Sequence, residues 1–362
     1  ISDYYTYASK SKIKAGDANP NGKYQFYTSS PDESRRCDEY LYDCKAIVMG
    51  TGGSATLHYY DGKFSTSTDC LTLIPNEKIR AKYLYYFFLA NMGVLEAGFK
   101  GAGLKHTSKG YIDNIEITKI PSLPSQDKIV NLFDELALRI EKERRQIEKL
   151  DELVKARFVE MFGNYTMEKT IGEVATICRG ASPRPISKFI TKSNGENWIK
   201  IGDAKEDDIY ITKTKELVTE DGANRSRRIK PGDFILSNSM SFGRPYISKI
   251  YGCVHDGWLI VSDYEQSFLP LFFYYAIRSE LVQAQFRKSV AGAVVKNLNS
   301  DLVRSVKIVI PSIESQEKFS SFAKQIDKSK FVLSNELTMC DFYIRLIHDR
   351  VMHGRINLRV TQ

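Results

Sequence analysis

Basic, hydroxyl and amide side chains cluster in the segments of this sequence that connect its apolar runs. In the first half the candidates are Arg35, Arg36, Thr51, Ser54, His58, Lys105 and Lys109. In the second half they are Arg225, Arg227, Arg228, Asn238, Ser239, Arg244, Lys296 and Asn297. Side chains of these types contact phosphate groups and form hydrogen bonds with the edges of bases. For any single residue a solvated loop is the alternative, but clusters in both halves favour binding to DNA.

Signatures of catalysis are missing from the sequence. The glycine-rich segment GTGGSA at residues 50–55 lacks the lysine of a phosphate-binding loop. Motifs of serine hydrolases, amino-methyltransferases, nucleotide-cofactor enzymes and nucleases are also missing. Asp69 and Asp256 recur at equivalent positions, but a single carboxylate at a turn is more often a structural hydrogen-bond acceptor. We therefore predict a binding protein, with an enzyme of unrecognised type as an alternative.

The cysteines and histidines form no metal-binding pattern. The six cysteines are scattered without a CxxC pair, and the five histidines do not form HExxH. We expect reduced cysteines that pack inside the protein, and we expect no metal.

The composition is that of a globular protein with more than one domain. The chain has 362 residues, of which 42% are hydrophobic and 12% aromatic. It has no run of about eighteen apolar residues that could span a membrane. The net charge of +8 removes an electrostatic objection to a nucleic-acid partner without proving one. Because the first residues do not resemble a signal peptide, we expect a cytoplasmic location.

The sequence contains an internal repeat. IPSLPSQDKI at residues 120–129 recurs as IPSIESQEKF at residues 310–319. LYYFFLAN at residues 84–91 aligns with LFFYYAIR at residues 271–278. Similar segments in the same order, at nearly constant offset, indicate two copies of one unit.

Each copy combines a β-rich head with a long helix. Short runs of β-branched and aromatic residues, separated by turn residues, predict a mostly antiparallel sheet or barrel in each head. We also predict one amphipathic helix in each head, near residues 82–95 and 269–286. The predicted fold class is α+β, with two repeated β-rich domains separated by two long helices. The predicted domains are 1–122 and 165–312 for the heads, and 123–164 and 313–362 for the helices.

The first long helix is predicted over residues 125–163, a segment without proline and without glycine before Gly163. Apolar residues recur every three or four positions, so they form one stripe that needs a partner. We expect Ser125 to cap the first turn and Gly163 to adopt the left-handed conformation after the last turn. A second helix, over residues 315–352, has a matching stripe. We therefore predict an antiparallel coiled coil with one head at each end and approximate two-fold symmetry.

The repeated helical segments carry a resemblance to a known family. IPSLPSQDKIVNLFDELALRIEKERRQIEKLDELVKARFVEMFG resembles the central helical region of specificity subunits of type I restriction-modification enzymes. IPSIESQEKFSSFAKQIDKSK is similar to the second such region, and GAVVKNLN at residues 292–299 resembles the segment that precedes it. The resemblance spans the whole chain. It departs at Glu314, which replaces the second proline of the lead, and at GLKHTSKG in the first head, which is three residues shorter than its counterpart.

This resemblance implies a non-catalytic recognition subunit. Each head would be a target-recognition domain that reads one half of a split double-stranded DNA target. The helices would set the spacing and dock two modification (methyltransferase) subunits, and restriction subunits with translocase and nuclease activity would join the complex. The chain itself would hold no cofactor, since S-adenosylmethionine is expected on the modification subunits and ATP with magnesium on the restriction subunits. No membrane partner is expected.

Outward residues of the first long helix are candidates for docking these subunits: Arg144, Arg145, Glu148 and Phe162. The helix would be roughly 57 Å long at about 1.5 Å per residue, which covers between one and two turns of duplex DNA. The alternative function is a coiled-coil scaffold protein that has no role in DNA binding.

Overall fold

The computed structural model describes residues 1–117, 119–205, 208–238, 243–291, 297–347 and 356–358. The chain divides into two compact units. Unit 1 consists of Ile1–Arg145 and Leu333–Gln362, and unit 2 consists of Gln146–Val332. Each unit therefore contains one head and a part of each long helix.

The head of unit 1 contains a six-stranded sheet and three short helices. The strands of the sheet are β1 (Tyr5–Tyr7), β2 (Tyr24–Tyr27), β3 (Arg36–Cys37), β4 (Tyr42–Gly50), β5 (Leu57–Thr66) and β6 (Cys70–Pro75). Their order is β1-β6-β4-β5-β2-β3, and neighbours are antiparallel except for the parallel pair of β2 and β5. The helices are α1 (Ala81–Ala90), α2 (Met92–Ala97) and α3 (Lys109–Asp113). A further strand, β7 (Ile115–Ile117), pairs with the last described strand of the chain, β20 (Ile356–Leu358).

Strand β4 separates two hydrophobic clusters of unit 1. Because successive side chains of a strand point to opposite faces, Ile47 and Met49 pack with Phe87 of α1 while Val48 packs with Phe64 of β5. All five side chains are at most 2% exposed. The second half of β4 is therefore buried on both faces, which explains its continuous apolar run.

The head of unit 2 contains two five-stranded sheets. The strands of the first sheet, in order, are β10 (Ile190–Thr191), β13 (Glu216–Val218), β11 (Glu196–Ile199), β17 (Gly252–Val254) and β14 (Arg227–Ile229). Those of the second are β12 (Tyr210–Ile211), β16 (Pro245–Ser248), β15 (Phe234–Ser237), β18 (Trp258–Ser262) and β9 (Thr176–Arg179). A two-stranded ladder joins β8 (Lys169–Thr170) and β19 (Lys307–Ile308). The short helices are α5 (Ile171–Val174), α6 (Glu220–Asn224), α7 (Pro270–Arg278), α8 (Glu280–Ala291) and α9 (Ser300–Ser305).

The second sheet of unit 2 is covered on both faces. On one face Phe234 packs against Phe273 of α7, with ring centroids 4.8 Å apart. On the other face Ile235 belongs to a cluster with Trp258 and with Ile199 of the first sheet. This arrangement makes the head of unit 2 a sheet-rich α+β domain, as predicted.

Two long helices, α4 (Leu123–Phe162) and α10 (Ile313–Ile347), each contribute residues to both units. In unit 1, Arg139 of α4 donates a hydrogen bond to Glu336 of α10 at 3.1 Å. Nearer the start of α4, Phe133 shares a hydrophobic cluster with Ile344, which lies nearer the end of α10. The two helices are therefore antiparallel in unit 1.

The helix pair in unit 2 has the same direction. Lys330 donates to Asp151 at 2.6 Å, and the rings of Phe158 and Phe319 lie 5.3 Å apart, edge to face. Later residues of α4 again lie beside earlier residues of α10, so the two helices are antiparallel here as well. The predicted antiparallel pairing of the long helices is confirmed, and Phe133, Val154 and Phe158 of the predicted apolar stripe are buried.

The ends of the long helices differ from the prediction. Both begin two residues earlier than expected. In α4 the first turn includes Pro124, which loses no helical hydrogen bond at that position. Ser122, not Ser125, precedes α4, and its carbonyl accepts from the Ser125 N–H at 2.9 Å. The backbone of Gly163 is not left-handed; a Cβ there would lie 2.6 Å from the Val159 carbonyl oxygen, so close approach requires the glycine. The predicted end of the second helix, at residues 348–352, lies outside the described residues.

A buried glutamine ties the start of each long helix to its head. Gln126 Oε1 accepts from the backbone N–H of Arg80, just before α1, at 2.8 Å. Gln316 Oε1 accepts from the backbone N–H of Leu269, just before α7, at 2.9 Å. In both cases Nε2 donates to the carbonyl of the proline five residues earlier. The same polar contacts at equivalent positions confirm that the two units are copies of one arrangement.

Each predicted head helix is two helices. Asn91 lies between α1 and α2, and its Nδ2 donates to the carbonyl of Phe87 at 2.7 Å. Ser279 lies between α7 and α8, and its Oγ donates to the carbonyl of Ala276 at 2.6 Å. Side-chain bonds of this kind compete with the helical ladder and end the first helix of each pair.

Two further expectations concern membranes and cysteines. In the part of the chain that the structure describes, no helix has the length and apolar character needed to cross a membrane. All six cysteines are free and buried or half-buried, in agreement with a packing role.

Candidate nucleic-acid interface

Three loops of unit 1 meet at one edge of the sheet. Ser29 follows β2, Thr51 follows β4 and Asp69 precedes β6. Ser29 Oγ donates to the Asp69 carbonyl at 2.6 Å and accepts from the Thr51 N–H at 3.2 Å. Thr51 Oγ1 donates to the same carbonyl at 3.0 Å. We call the edge defined by Ser29, Thr51 and Asp69 the unit 1 loop edge.

The segment before α3 lies along this edge. The Thr107 N–H donates to the Thr51 carbonyl at 3.1 Å, and the Gly53 N–H donates to the Lys105 carbonyl at 2.9 Å. The structure thus brings Thr51, Ser54, Lys105 and Lys109 to one loop edge. The side chains of the last three are exposed and that of Thr51 is half-buried.

Three other candidates of unit 1 interact mainly with other residues of the same head. His58 is only 3% exposed; its Nδ1 lies 2.8 Å from Glu33 Oε1, and its ring stacks on Tyr27. The ring is enclosed by the protein, so its position does not support the prediction of a DNA contact. Arg35 donates to Asp32 at 3.4 Å. Arg36 donates to the carbonyl of Glu33 at 3.0 Å and to the carbonyl of Arg35 at 2.9 Å. Both arginines remain half-buried at the surface.

Unit 2 has an equivalent loop edge, which we define by Asn238 and Asp256. Asn238 follows β15, and its N–H donates to the Gly257 carbonyl at 3.0 Å. The Leu298 N–H donates to the Asn238 carbonyl at 2.8 Å, as Thr107 does to Thr51 in unit 1. Asn297 is exposed beside this contact.

Asn238 itself has a structural role. Its side chain is 4% exposed, and Nδ2 donates to the Asp256 carbonyl at 2.9 Å. Its amide is enclosed by the loop edge that it holds together, so its position does not support the prediction of a DNA contact. The candidates Ser239 and Lys296 lie outside the described residues.

Three neighbouring arginines of unit 2 differ in whether a carboxylate pairs with their charge: Arg225, Arg227 and Arg228. Arg228 donates to both oxygens of Glu196 at 2.8 to 3.1 Å, and these hydrogen bonds lower the pKa of that carboxyl. Arg225 pairs with Asp221 at 3.2 Å. Arg227 is exposed and forms no ion pair with any residue that the structure describes. Of the three arginines, Arg227 has the charge that is most available to another molecule.

Sequence reasoning missed a polar network around Asp256. Ser182 Oγ donates to Oδ1 at 2.8 Å, Arg184 donates to Oδ2 at 3.1 Å, and Arg179 Nε donates to the Asp256 carbonyl at 2.9 Å. Partial burial raises the pKa of Asp256, but Ser182, His255 and Arg184 lower it by more, so the net shift is downward. Asp256 is thus a structural acceptor, as expected. The available signal was RGASPRP at residues 179–185, where cations alternate with turn residues.

Arg244 belongs to a second group of basic residues in unit 2. Together with Lys155 of α4 and Arg278 of α7 it lines a cavity of about 210 Å³. Its backbone N–H donates to Ser237 Oγ at 3.1 Å, which fixes the end of the loop after β15. The cavity collects three cations at the surface of one head.

The proposed docking residues of α4 divide into two groups. Arg144, Arg145 and Glu148 are exposed, and Arg145 pairs with Glu141 one turn earlier on the same helix. Phe162 is 1% exposed and lies in the core of unit 2. Its description as an outward residue is therefore wrong, since its ring packs edge to face on other aromatic rings of that core.

The described residues do not form a cluster of three or more His, Cys, Asp or Glu side chains that could hold a metal ion. What they do form, in both units, is a polar loop edge at the end of a sheet, flanked by exposed cations. Two β-rich heads, each followed by a long helix, define a protein built from two repeated units.

Comparisons with known proteins give the family. The family model described as the type I restriction modification DNA specificity domain matches residues 1–152 and residues 165–338. The chain therefore belongs to that family and contains two copies of its domain. This membership confirms the family resemblance and the assignment as a non-catalytic specificity subunit.

Curated relatives carry the same description. The chain is 24% identical over 177 residues to the type I restriction enzyme EcoDI specificity subunit of Escherichia coli; the match covers 49% of this chain and 38% of that subunit. It is 22% identical over 347 residues to the MjaVIII specificity subunit of Methanocaldococcus jannaschii, covering 86% of this chain and 79% of that subunit. The match thus spans little more than a third of the first relative.

A solved structure shows the same fold. The S subunit of a type I restriction-modification system from M. genitalium superposes with a TM-score of 0.62 over 97% of this chain and 94% of that chain, at 16% identity. At this identity the similarity concerns the fold alone.

Proposed function

We propose that this chain recognises a DNA target made of two separated parts, and that each head reads one part within a type I restriction-modification complex. The observation that carries the proposal is the recurrence of one loop edge in both units, with equivalent hydrogen bonds from Thr107 to Thr51 and from Leu298 to Asn238. The two matches to a family of DNA specificity domains support the same proposal.

In each head, exposed cations contact phosphates while short polar side chains form hydrogen bonds with bases. In unit 1 we assign the phosphate contacts to Lys105 and Lys109, with Ser54 close to the bases. In unit 2 we assign them to Arg227, whose side chain is exposed. The remaining candidates with surface access are Arg35, Arg36, Thr51, Arg225, Arg244 and Asn297. Arg228 is better suited to positioning its loop, because its charge is neutralised by a carboxylate.

We also propose that the long helices set the number of unread base pairs between the two parts. Helix α4 has 40 residues. At about 1.5 Å per residue it is roughly 60 Å long, against about 34 Å per turn of duplex.

The other subunits of the complex supply the chemistry in this proposal. Two modification subunits dock on the helices through exposed residues such as Arg144, Arg145 and Glu148, and bind S-adenosylmethionine. Restriction subunits bind ATP and magnesium. The role of this chain is to select the DNA sequence on which they act.

The decisive experiment exchanges the second head, residues 165–312, for that of another family member in the assembled complex. Sequencing of methylated DNA is expected to show one half of the target replaced and the other half retained. An unchanged target would contradict the proposal. Binding of the complex to duplex DNA is expected to fall steeply with salt, and the absence of such binding would favour a scaffold role.

A single substitution tests one contact. Arg227→Gln is expected to weaken recognition of one half of the target and to reduce the slope of log affinity against log salt by about 1. Lys213→Gln is the matched control, because Lys213 is also exposed in unit 2 and forms no ion pair with the described residues. Equal effects of the two variants would remove Arg227 from the interface.

A further inference from the structure

Unit 1 contains a polar cavity of about 250 Å³ beside its loop edge. The wall is formed by the end of β1 with the residues that follow it, by the start of β6, and by Thr51 and Thr107 of the loop edge. Lys10 and Lys109 complete the lining. Two of these residues, Thr51 and Lys109, are also candidates for DNA contact.

The charge of the cavity is positive. Neither lysine forms an ion pair with a residue that the structure describes, and the lining contains no carboxylate. The Lys109 ammonium lies 4.3 Å from the centre of the Tyr7 ring, which holds it at the wall. Behind that ring, Asp113 accepts hydrogen bonds from the hydroxyls of Tyr5 and Tyr7 at 2.7 and 3.0 Å. Oδ1 of this carboxylate therefore accepts from two neutral donors, and Asp113 is not part of the cavity lining.

The thiol in the wall is neutral. Burial raises the pKa of Cys70 to about 11. It therefore adds no negative charge near pH 7, and the two ammonium groups determine the charge of the site.

Two hydroxyls of the wall lack partners. Thr72 is 4% exposed, and its Oγ1 and the Oγ1 of Thr107 are buried without a hydrogen bond to any described residue. Buried hydroxyls are normally hydrogen-bonded, and leaving one unpaired costs about 1–3 kcal/mol. A bound group that accepts hydrogen bonds would relieve this cost.

The volume of the cavity limits the size of the group that it can bind. Small-molecule sites usually measure about 300–1,000 Å³, so the cavity is smaller than a typical site for a whole nucleotide. Ammonium and threonine hydroxyl groups are common partners of phosphate oxygens.

We propose that this cavity binds a single phosphate group through Lys10, Lys109 and Thr72. The source that fits its position is a backbone phosphate of the bound duplex, and in this respect the inference rests on the proposed function. Free inorganic phosphate presents the same chemistry. The cavity would fix the unit 1 head on the DNA backbone, so that its base-reading loops meet one register of base pairs.

The test uses the full chain with inorganic phosphate and the assembled complex with duplex DNA. Phosphate binding is followed by ³¹P NMR, and duplex binding is measured between low and moderate salt. The variants are Lys10→Gln, Lys109→Gln and Thr72→Val. The matched control is Lys78→Gln, which removes one exposed charge of unit 1 outside the cavity.

Each lysine variant is expected to lose phosphate binding and to reduce the salt slope for duplex by about 1. Thr72→Val is expected to weaken both affinities about ten-fold without changing the slope, because it removes a hydrogen bond to a charged group but no charge. Circular dichroism of Thr72→Val checks that unit 1 remains folded. If unit 1 is not folded in this variant, the two lysine variants alone test the phosphate site.

The two arms separate the sources. Loss of phosphate binding with an unchanged duplex slope would identify free phosphate as the ligand and overturn the backbone assignment. Variants that bind both ligands like the Lys78→Gln control would overturn the site itself. If the complex bound no duplex at all, the proposed function would fail while the phosphate arm still decided the cavity.

Discussion

Replacing Gln316 by alanine should destabilise unit 2 strongly. The side chain is fully buried and makes three hydrogen bonds, from the Leu269 N–H and to the carbonyls of Ser267 and Pro311, at 2.9 to 3.0 Å. Alanine removes all three and leaves one donor and two acceptors buried. Unsatisfied buried groups cost about 1–3 kcal/mol each, so we expect a loss of about 3–5 kcal/mol with partial relaxation.

Tryptophan fluorescence measures this loss selectively. The chain has two tryptophans, Trp198 and Trp258, and both are fully buried in unit 2. In urea the fluorescence transition of Gln316→Ala should shift down by about 1–2 M, for a dependence of about 2–3 kcal/mol per molar. The control is Gln325→Ala, an exposed glutamine of the same helix, which should shift the midpoint by less than about 0.3 M. Similar midpoints for the two variants would refute the reasoning that the buried amide links helix and head.

Three further predictions concern unit 2 and the helix surface. Phe162→Ala should lower the free energy of unfolding of unit 2 by about 3–5 kcal/mol, whereas Val159→Ala, at a side chain 60% exposed, should change it little in the same urea titration. Arg144→Glu with Arg145→Glu should leave the fluorescence transition unchanged and reduce assembly with modification subunits in size-exclusion chromatography; normal assembly would place docking elsewhere. Because the pKa of Asp256 is lowered, its carboxylate stabilises the fold above the unfolded pKa of about 4 and less as pH falls. Asp256→Asn should therefore be less stable than the parent at pH 7, with the difference shrinking towards pH 3.

The fold followed from local patterns in the sequence. The stripe of α4, including Phe133 and Phe158, depends on a spacing within one helix, and its burial agrees with the prediction. The repeat depends on segments that can be compared directly. Phe162 was a missed case of the same rule, since it lies four residues after Phe158 and therefore on the same stripe.

The site was harder to predict because burial of a polar side chain depends on partners far away in sequence. His58 is enclosed with Glu33, and Arg228 is neutralised by Glu196, 32 residues earlier. Residue type and clustering contain no information about such partners. The sequence therefore located the loops that meet at each edge, but it did not separate the side chains that hold a loop from those that face outward.

The division of the long helices between the units has a consequence for synthesis. Unit 2 is one continuous segment, Gln146–Val332, whereas unit 1 needs residues from Leu333 onward to pair with the first half of α4. During translation the second head therefore has all of its residues outside the ribosome before the first head is complete. Until then the first half of α4 can pack on the first head, where Phe133 stacks on Tyr86, but not on the end of α10. A truncated product that ends before Leu333 should retain a folded second head and a first head prone to aggregation.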